Sequence, residues 1–379
     1  MRIRIWIAIF CGVLCLGQDK PDSEAQQDQI KQDIRLAIEM LGAENPVEGE
    51  EGRKELLELG HRAVPQLIEA LEHESPQIRL VVCDILGEIR NPSAVDPLIK
   101  MLQDKDEYGV SIASVAARAL GLIGEPKAIK PLLDLLDSDR IKLDVELRYE
   151  VIRALGILRA TEAVDKIRKF VDDKATLYIT KKMVAMAAME ALARLRAEDA
   201  IDEIAALLGD KTKEEWSART LEMCAAKALE RITGTRFGAI LEEESEVTKE
   251  TLKKWGQWWE KRKKLKEDQK KAQETRALLA ELQEKLEGFK KKHGRYPGKL
   301  EELINRPEYI KKEDWPEGGY LKELPKDGWG KLLNYRCPSQ FGTPPYDLYS
   351  LGADSTQGGE GVNQDIWNHE LWKKKQHPE

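Results

Sequence analysis

The chain is poor in the residues that anchor small-molecule chemistry. Its 379 residues include only five histidines, His61, His73, His293, His369 and His377, and they are scattered. No two of them have metal-ligand spacing, and there is no nucleophile elbow or phosphate-cradling glycine loop. Acidic pairs are common, but in a chain that is 34% charged they read as solvated helix faces, so these absences argue against an enzyme. Cysteine is as sparse. Beyond Cys11 and Cys15, only Cys83, Cys224 and Cys337 remain, an odd and widely spaced set that suits neither a disulfide framework nor a zinc site. Cys83 and Cys224 sit among apolar residues at helical spacing and read as small core side chains. Charge of one sign is also missing. The 61 basic and 68 acidic residues leave −7, so no overall field recruits nucleic acid or acidic lipid.

Long apolar runs are absent after residue 17. The opening MRIRIWIAIFCGVLCLG places Arg2 and Arg4 before an apolar stretch from Ile5 to Leu16. As a helix that stretch covers roughly 18 Å, short of the roughly 30 Å hydrocarbon layer. It therefore reads as an export signal over residues 1–17, with an uncleaved N-terminal anchor as the alternative. With the signal removed no membrane span is expected, and the protein is placed in the periplasm or another extracytoplasmic space.

What is present is repetition. AVPQLIEAL at Ala63 returns as AVDPLIKML at Ala94, AIKPLLDLL at Ala128, AVDKIRKFV at Ala163 and AIDEIAALL at Ala200, at intervals of 31, 34, 35 and 37 residues. A second segment alternates with it: VCDILGEI, AARALGLIG, VIRALGILR, AMEALARLR, AAKALERI. Each unit is thus a helical hairpin, and a fixed period of this length means a stacked array rather than one globular core. Val64, Leu67, Ile68 and Leu71 fall at i, i+3, i+4 and i+7, giving one buried stripe. Gly87, Gly121, Gly156 and Ala193 let the neighbouring hairpin approach closely. Pro65, Pro97 and Pro131 stand near a helix start, where the missing N–H does no harm. The pattern resembles a HEAT-type solenoid, in particular the short HEAT-like repeats named after phycobilin lyases. That resemblance implies a protein-docking surface, and no residues here support phycobilin attachment.

From Thr248 to His293 there is no proline and only Gly256 and Gly288, which predicts a long helix or two abutting helices. Trp255, Trp258 and Trp259 share one side of it, as an aromatic docking patch or as a cap on the last open face of the array. The lysine-rich stretch that follows reads as a solvated face. Leu265, Ala272, Leu279 and Leu286 recur every seven residues, with Leu282 and Phe289 alongside, and form a seam that must pack on the next domain.

In that domain LLNYR and YDLYSL have the composition of short strands, with PSQFGTPP as turn material between them. Trp329 and Tyr335 are expected in its core, with Tyr320 a further candidate. The order GRYP (Gly294 to Pro297), LEELINRP, GGYLKELPKDGWG, YDLYSLGAD and GGEGVNQDIWN resembles the globular head of the major pseudopilin of type II secretion systems. The resemblance covers about residues 275–368 and implies a helix end followed by a small antiparallel sheet.

The loop YSLGADSTQGGEGVNQDIWN is rich in glycine and oxygen-bearing side chains, so it is either ordered by a hard cation or a polar loop ordered by packing of Ile366 and Trp367. The pseudopilin resemblance implies calcium, with Leu351 through its carbonyl and Asp354 as ligands. Where the family can place an aspartate two residues after the paired glycines, this chain has Gly361, so Glu360, Asn363 or Asp365 would have to compensate. A second departure concerns the apolar helix that anchors a pseudopilin and packs its filament. After Gly17 this chain continues with QDKPDSEAQQDQ, so assembly as an ordinary filament subunit is not expected.

The fold expected is mainly α: a HEAT-like superhelical solenoid, a long helix, and a small α+β head with an antiparallel sheet. Its parts are a signal (1–17), an N-terminal linker and first helix (18–52), the array (53–238), a linker and connecting helix (239–274), the head (275–368) and a tail (369–379). The function expected is a non-catalytic exported adaptor that grips a protein partner, with type II secretion components as candidate partners. The alternative is an accessory component that joins a secretion or pilus-like assembly through its head.

Overall fold

The computed structural model describes residues 24–104, 111–175, 183–212, 220–237, 249–340, 342 and 345–368. The expected export signal, residues 238–248 where the expected linker starts, and the C-terminal tail lie outside them. The chain divides into two compact units, with the boundary at Gly256. Among the described residues no helix is long and apolar enough to cross a membrane.

The first unit opens with helices Glu24–Met40 and Pro46–Leu59. The second starts where Asn45 accepts the Val47 amide at 3.1 Å and Pro46 supplies a pre-set φ. Five hairpins follow. Their first helices are Val64–Ala70, Val95–Met101, Ile129–Leu136, Val164–Ile167 and Ile201–Ala206, and each is entered through a single 3-10 turn. Helices this short do not stand alone in water, so they depend on the stripe that they bury: Val64, Leu67 and Leu71 in the first hairpin, Leu132, Leu135 and Leu136 in the third.

The second helices are Pro76–Ile89, Ile112–Ile123, Val145–Ile157, Val184–Leu195 and Leu221–Thr233, each packed on the one before and the one after. A helix covered on two sides has little room, and the sequence answers with alanine and glycine. A Cβ built on Gly87 would lie 2.7 Å from the Ala119 Cα, one on Gly121 2.9 Å from the Ala154 Cα, and one on Gly156 2.7 Å from the Ala191 Cα. The expected close approach is therefore backbone against backbone, repeated once per unit. Ala193, buried in its turn, takes the corresponding place in the fourth second helix.

Polar groups stitch the same neighbours. Arg118 reaches back to Asp84 at 2.9 Å, Arg79 pairs with Asp104 at 3.0 Å, Arg148 with Asp173 at 3.0 Å, and Arg168 with Glu203. Lys174, with the side chain and amide of Thr212, holds the Asp210 carboxyl down at about 2. Cys83 is fully buried and burial pushes its thiol up to about 12, as suits a small core residue, whereas Cys224 is half-buried. Each second helix ends in a left-handed residue. Gly124 and Gly234 do this without strain, whereas Arg90, Arg159 and Arg196 hold φ of 58, 55 and 51°.

The helix Lys249–His293 begins in the first unit, where Trp255 is fully buried with Phe237 edge-on at 4.8 Å. The three indoles expected on one side are treated differently. Trp255 is buried, while Trp258 and Trp259 are half-buried under Arg262 and Lys263 at 5.5 and 5.6 Å.

In the second unit Ala272, Leu279, Leu282, Leu286 and Phe289 bury the helix seam against Leu300, Leu303, Ile310, Leu333, Leu348 and Ile366. Leu265 is the exception, 48% exposed, almost a turn before Asp268, which accepts the Trp329 indole N–H at 3.0 Å. Gly294, at φ 77°, ends the helix. The sheet has order β1-β2-β3: β1 (Asn334–Arg336) pairs antiparallel with β2 (Asp347–Ser350), and β2 with β3 (Ile366–Trp367). The central aromatic ring is Tyr346, which is buried, with Tyr296 edge-on at 4.9 Å. Trp329, Tyr335 and Tyr320 flank the core half-buried rather than filling it. Tyr335 ends in a hydrogen bond to the Pro297 carbonyl at 2.8 Å, and burial raises its hydroxyl pKa.

Gly156→Leu should lower unfolding stability by about 1–3 kcal/mol, since backbone of the next unit already fills the space. Gly288→Ala, with nothing within 4 Å of a new Cβ, should raise it by up to about 1 kcal/mol. Urea unfolding of both variants checks the pair.

Candidate functional site

Residues 351–365 form the connection between β2 and β3, whose last and first residues, Ser350 and Ile366, face each other across the ladder. The entrance to this loop is fixed from the long helix outward. A Cβ on Gly328 would lie 2.4 Å from the Lys271 carbonyl oxygen, so that turn sits flush on the helix, and the Gly328 amide donates to Thr275 Oγ1 at 2.9 Å. Asp327 then accepts from the Trp329 and Lys331 amides at 3.0 and 2.8 Å and from Ser350 Oγ at 2.6 Å. Ser350 Oγ in turn accepts the Gly352 amide at 3.1 Å. The exit is held by Asn368, whose side-chain oxygen accepts the Leu348 amide at 3.1 Å.

Within the loop the chain folds back on itself. The Ala353 amide donates to the Val362 carbonyl at 3.1 Å, and the Gly358 amide to Asp365 Oδ2 at 3.1 Å. Gly359 adopts φ 91°, and a Cβ there would meet the Asn363 carbonyl oxygen at 2.6 Å, so the position admits only glycine.

The five residues singled out from the sequence do not stand alike. Asp365 is buried, and its Oδ1 has no hydrogen-bond partner among the described residues. A buried polar oxygen left without a partner costs about 1–3 kcal/mol. Leu351 is half-buried at the loop entrance. Asp354 is exposed, with Oδ1 accepting the Thr356 amide at 3.0 Å. Glu360 is exposed, and its carbonyl accepts the Asn363 amide at 3.2 Å. The Asn363 side chain is exposed too, while its backbone carbonyl is the group turned toward Gly352 and Gly359. Gly361 brings no oxygen-bearing side chain. Among the described residues no three His, Cys, Asp or Glu side chains are grouped for a metal. The oxygen donors that the loop offers are the Asp365 and Asp354 carboxylates and backbone carbonyls, Asp365 buried and Asp354 exposed. That donor set suits a hard cation such as calcium and not a thiolate- or imidazole-seeking metal.

Asp327, Ser350 and Asn368 are not among the residues that the sequence points to, although all three fix the loop. An Asp-Gly pair reads only as a turn, and nothing local announces that its carboxylate reaches a strand serine 23 residues on. The described histidines have structural roles. His61 Nδ1 lies 3.1 Å from Asn91 Nδ2, His73 Nδ1 accepts the Ser75 amide at 3.0 Å, and His293 Nε2 meets the Tyr320 hydroxyl at 2.9 Å. Burial, with Lys292 beside it, lowers the His293 pKa, and Asp314 opposes the shift.

Comparison with known proteins divides along the same line as the fold. Residues 264–369 match the family described as type II secretion system (T2SS), protein G. Residues 64–143 match HEAT repeats, and 147–173 and 184–210 match the PBS lyase HEAT-like repeat. The type II secretion system core protein G of Vibrio cholerae is 39% identical over 106 residues, 27% of this chain and 71% of that protein. Its counterpart in Pseudomonas aeruginosa is 36% identical over 105 residues, 27% of this chain and 72% of that protein. Among solved structures, the CpcE–CpcF complex of phycocyanin lyase from Nostoc sp. PCC7120 is similar, with 27% identity, a TM-score of 0.37, and coverage of 45% of this chain and 64% of that one.

Gly359→Ala should open the loop without unfolding the head. Hydrogen exchange at the Ala353 amide is expected to speed up by about tenfold or more, a cost of at least ~1.4 kcal/mol, while that of Leu348 stays slow.

Proposed function

We propose, for a chain that belongs through its C-terminal domain to the type II secretion system protein G family, the role of a non-catalytic exported adaptor. The HEAT-like array grips a protein partner, and the head, stabilised by calcium, connects that partner to type II secretion machinery in the periplasm or another extracytoplasmic space. The observation that carries this reading is the presence on one chain of a stacked hairpin array beside a head with its own sheet and core. Support for calcium is the buried, unpartnered Oδ1 of Asp365 in a loop that glycines fold back on itself.

A second reading gives the head the leading part, as an accessory subunit that enters a pseudopilus-like assembly itself. The 39% identity to a core protein G favours it. Photo-crosslinkers at exposed positions separate the two. Placed at Glu69 and Lys100 of the array in the full chain, they should capture the main partner in a periplasmic extract, and at Glu308 of the head only secretion components. Adducts confined to Glu308 would sink the adaptor reading and leave the second.

Millimolar calcium should raise the melting midpoint of the head relative to chelator. At a hundred times its dissociation constant a ligand bound by the native state alone adds about 2.7 kcal/mol. Asp365→Asn should abolish most of that rise, and an unshifted midpoint in the parent protein would remove the metal from the proposal.

A further inference from the structure

The ends of the last three second helices line an open concavity of about 680 Å³ whose charged lining is Arg159, Arg194, Arg196, Arg231, Arg236 and Glu230, the arginines all exposed. Five arginines against one glutamate leave a local excess of four positive charges on a chain whose net charge is −7. Glu230 pairs with Arg236 at 3.1 Å, and Arg194 with Glu190 at 2.8 Å. Arg159, Arg196 and Arg231 make no ion pair among the described residues. Elsewhere in the array arginines are engaged between units, as Arg79, Arg118, Arg148 and Arg168 are.

Two of these three also stand where the backbone does not favour them. Arg159 and Arg196 occupy the left-handed position that closes a second helix, which Gly124 and Gly234 fill in other units without strain. Arg90 holds the same conformation outside the cavity, so the cap by itself does not mark a site, and what sets Arg159 and Arg196 apart is their convergence with Arg231 on one concavity. A strained cation, unpaired and facing a concavity whose walls focus its field, suits an anionic ligand.

We propose that this cavity binds an acidic polypeptide segment in extended form, with carboxylates spaced about three residues apart. Packed helices repeat at roughly 8–10 Å, which an extended chain spans in about three residues. Successive carboxylates would then meet the guanidinium forks of successive units. Single-stranded nucleic acid would need aromatic platforms for its bases, and the rest of the lining is Thr161, Ala193, Leu195 and Gly234. The choice of a polypeptide rests on the docking role proposed for the array; the anion site itself does not.

The test uses the full chain and fluorescence anisotropy. The probe is a labelled glycine–serine peptide with aspartate at every third position, set against an isomer with the aspartates clustered and an oligonucleotide of equal charge. The spaced peptide should bind about tenfold tighter than the clustered one, and more weakly as salt rises. Arg159→Gly with Arg196→Gly should weaken it by about tenfold or more while the protein melts no lower, since glycine relaxes both backbones. Arg231→Gln, in ordinary helix, should weaken it without moving the melting point and decides the matter if the double variant melts early. Unchanged affinity in these variants, no preference for the spaced peptide, or tighter binding of the oligonucleotide would each overturn the proposal. Those results leave the crosslinking at Glu69 and Lys100 standing, whereas an array that crosslinks nothing would sink the docking role without touching the peptide affinities.

Discussion

The array depends on one contact, repeated: the second helix of each of the first three units lies so close to the next that a glycine faces an alanine with no room for a Cβ between them. From that approach the rest follows. Because these helices are covered fore and aft, their sequence is small and apolar, and because they stack at close range, a short first helix is enough to shield the remaining side. The ion pairs from Arg118 to Asp84 and from Arg148 to Asp173 lie on a geometry already set by that seam. Being partly exposed, they add register more than energy.

The head solves a different problem, holding a glycine-rich loop in one shape. It does so with polar links laid end to end, from the helix carbonyl at Lys271 through Thr275, Gly328 and Asp327 to Ser350. The loop is thereby anchored to the stiffest element of the head and not only to its small sheet.

Periodicity alone makes the array legible, since five returns of one apolar stripe admit few alternatives, and residue size implies the glycines that face alanines. The head's first two strands are readable from branched and aromatic alternation. β3 is not, because Ile366 and Trp367 are too short a run to show a period, and its pairing is fixed by a loop closure distant in sequence. Leu265 misleads for a related reason: heptad spacing continues past the point where the head stops, and spacing does not say where a partner ends. Around the loop, residue chemistry identifies the class of donor but not which one is buried, since burial at Asp365 is decided by the fold-back at Gly358. Nothing in the local sequence shows that Arg159, Arg196 and Arg231 converge on one concavity, since that follows from the stacking of three units.

In a stack joined face to face by seams of this kind, each unit passes force to the next through its seam. Any load applied at one hairpin is therefore shared as a small pivot at every Gly–Ala joint, and the array behaves as a spring whose stiffness is set by how tightly those joints are filled.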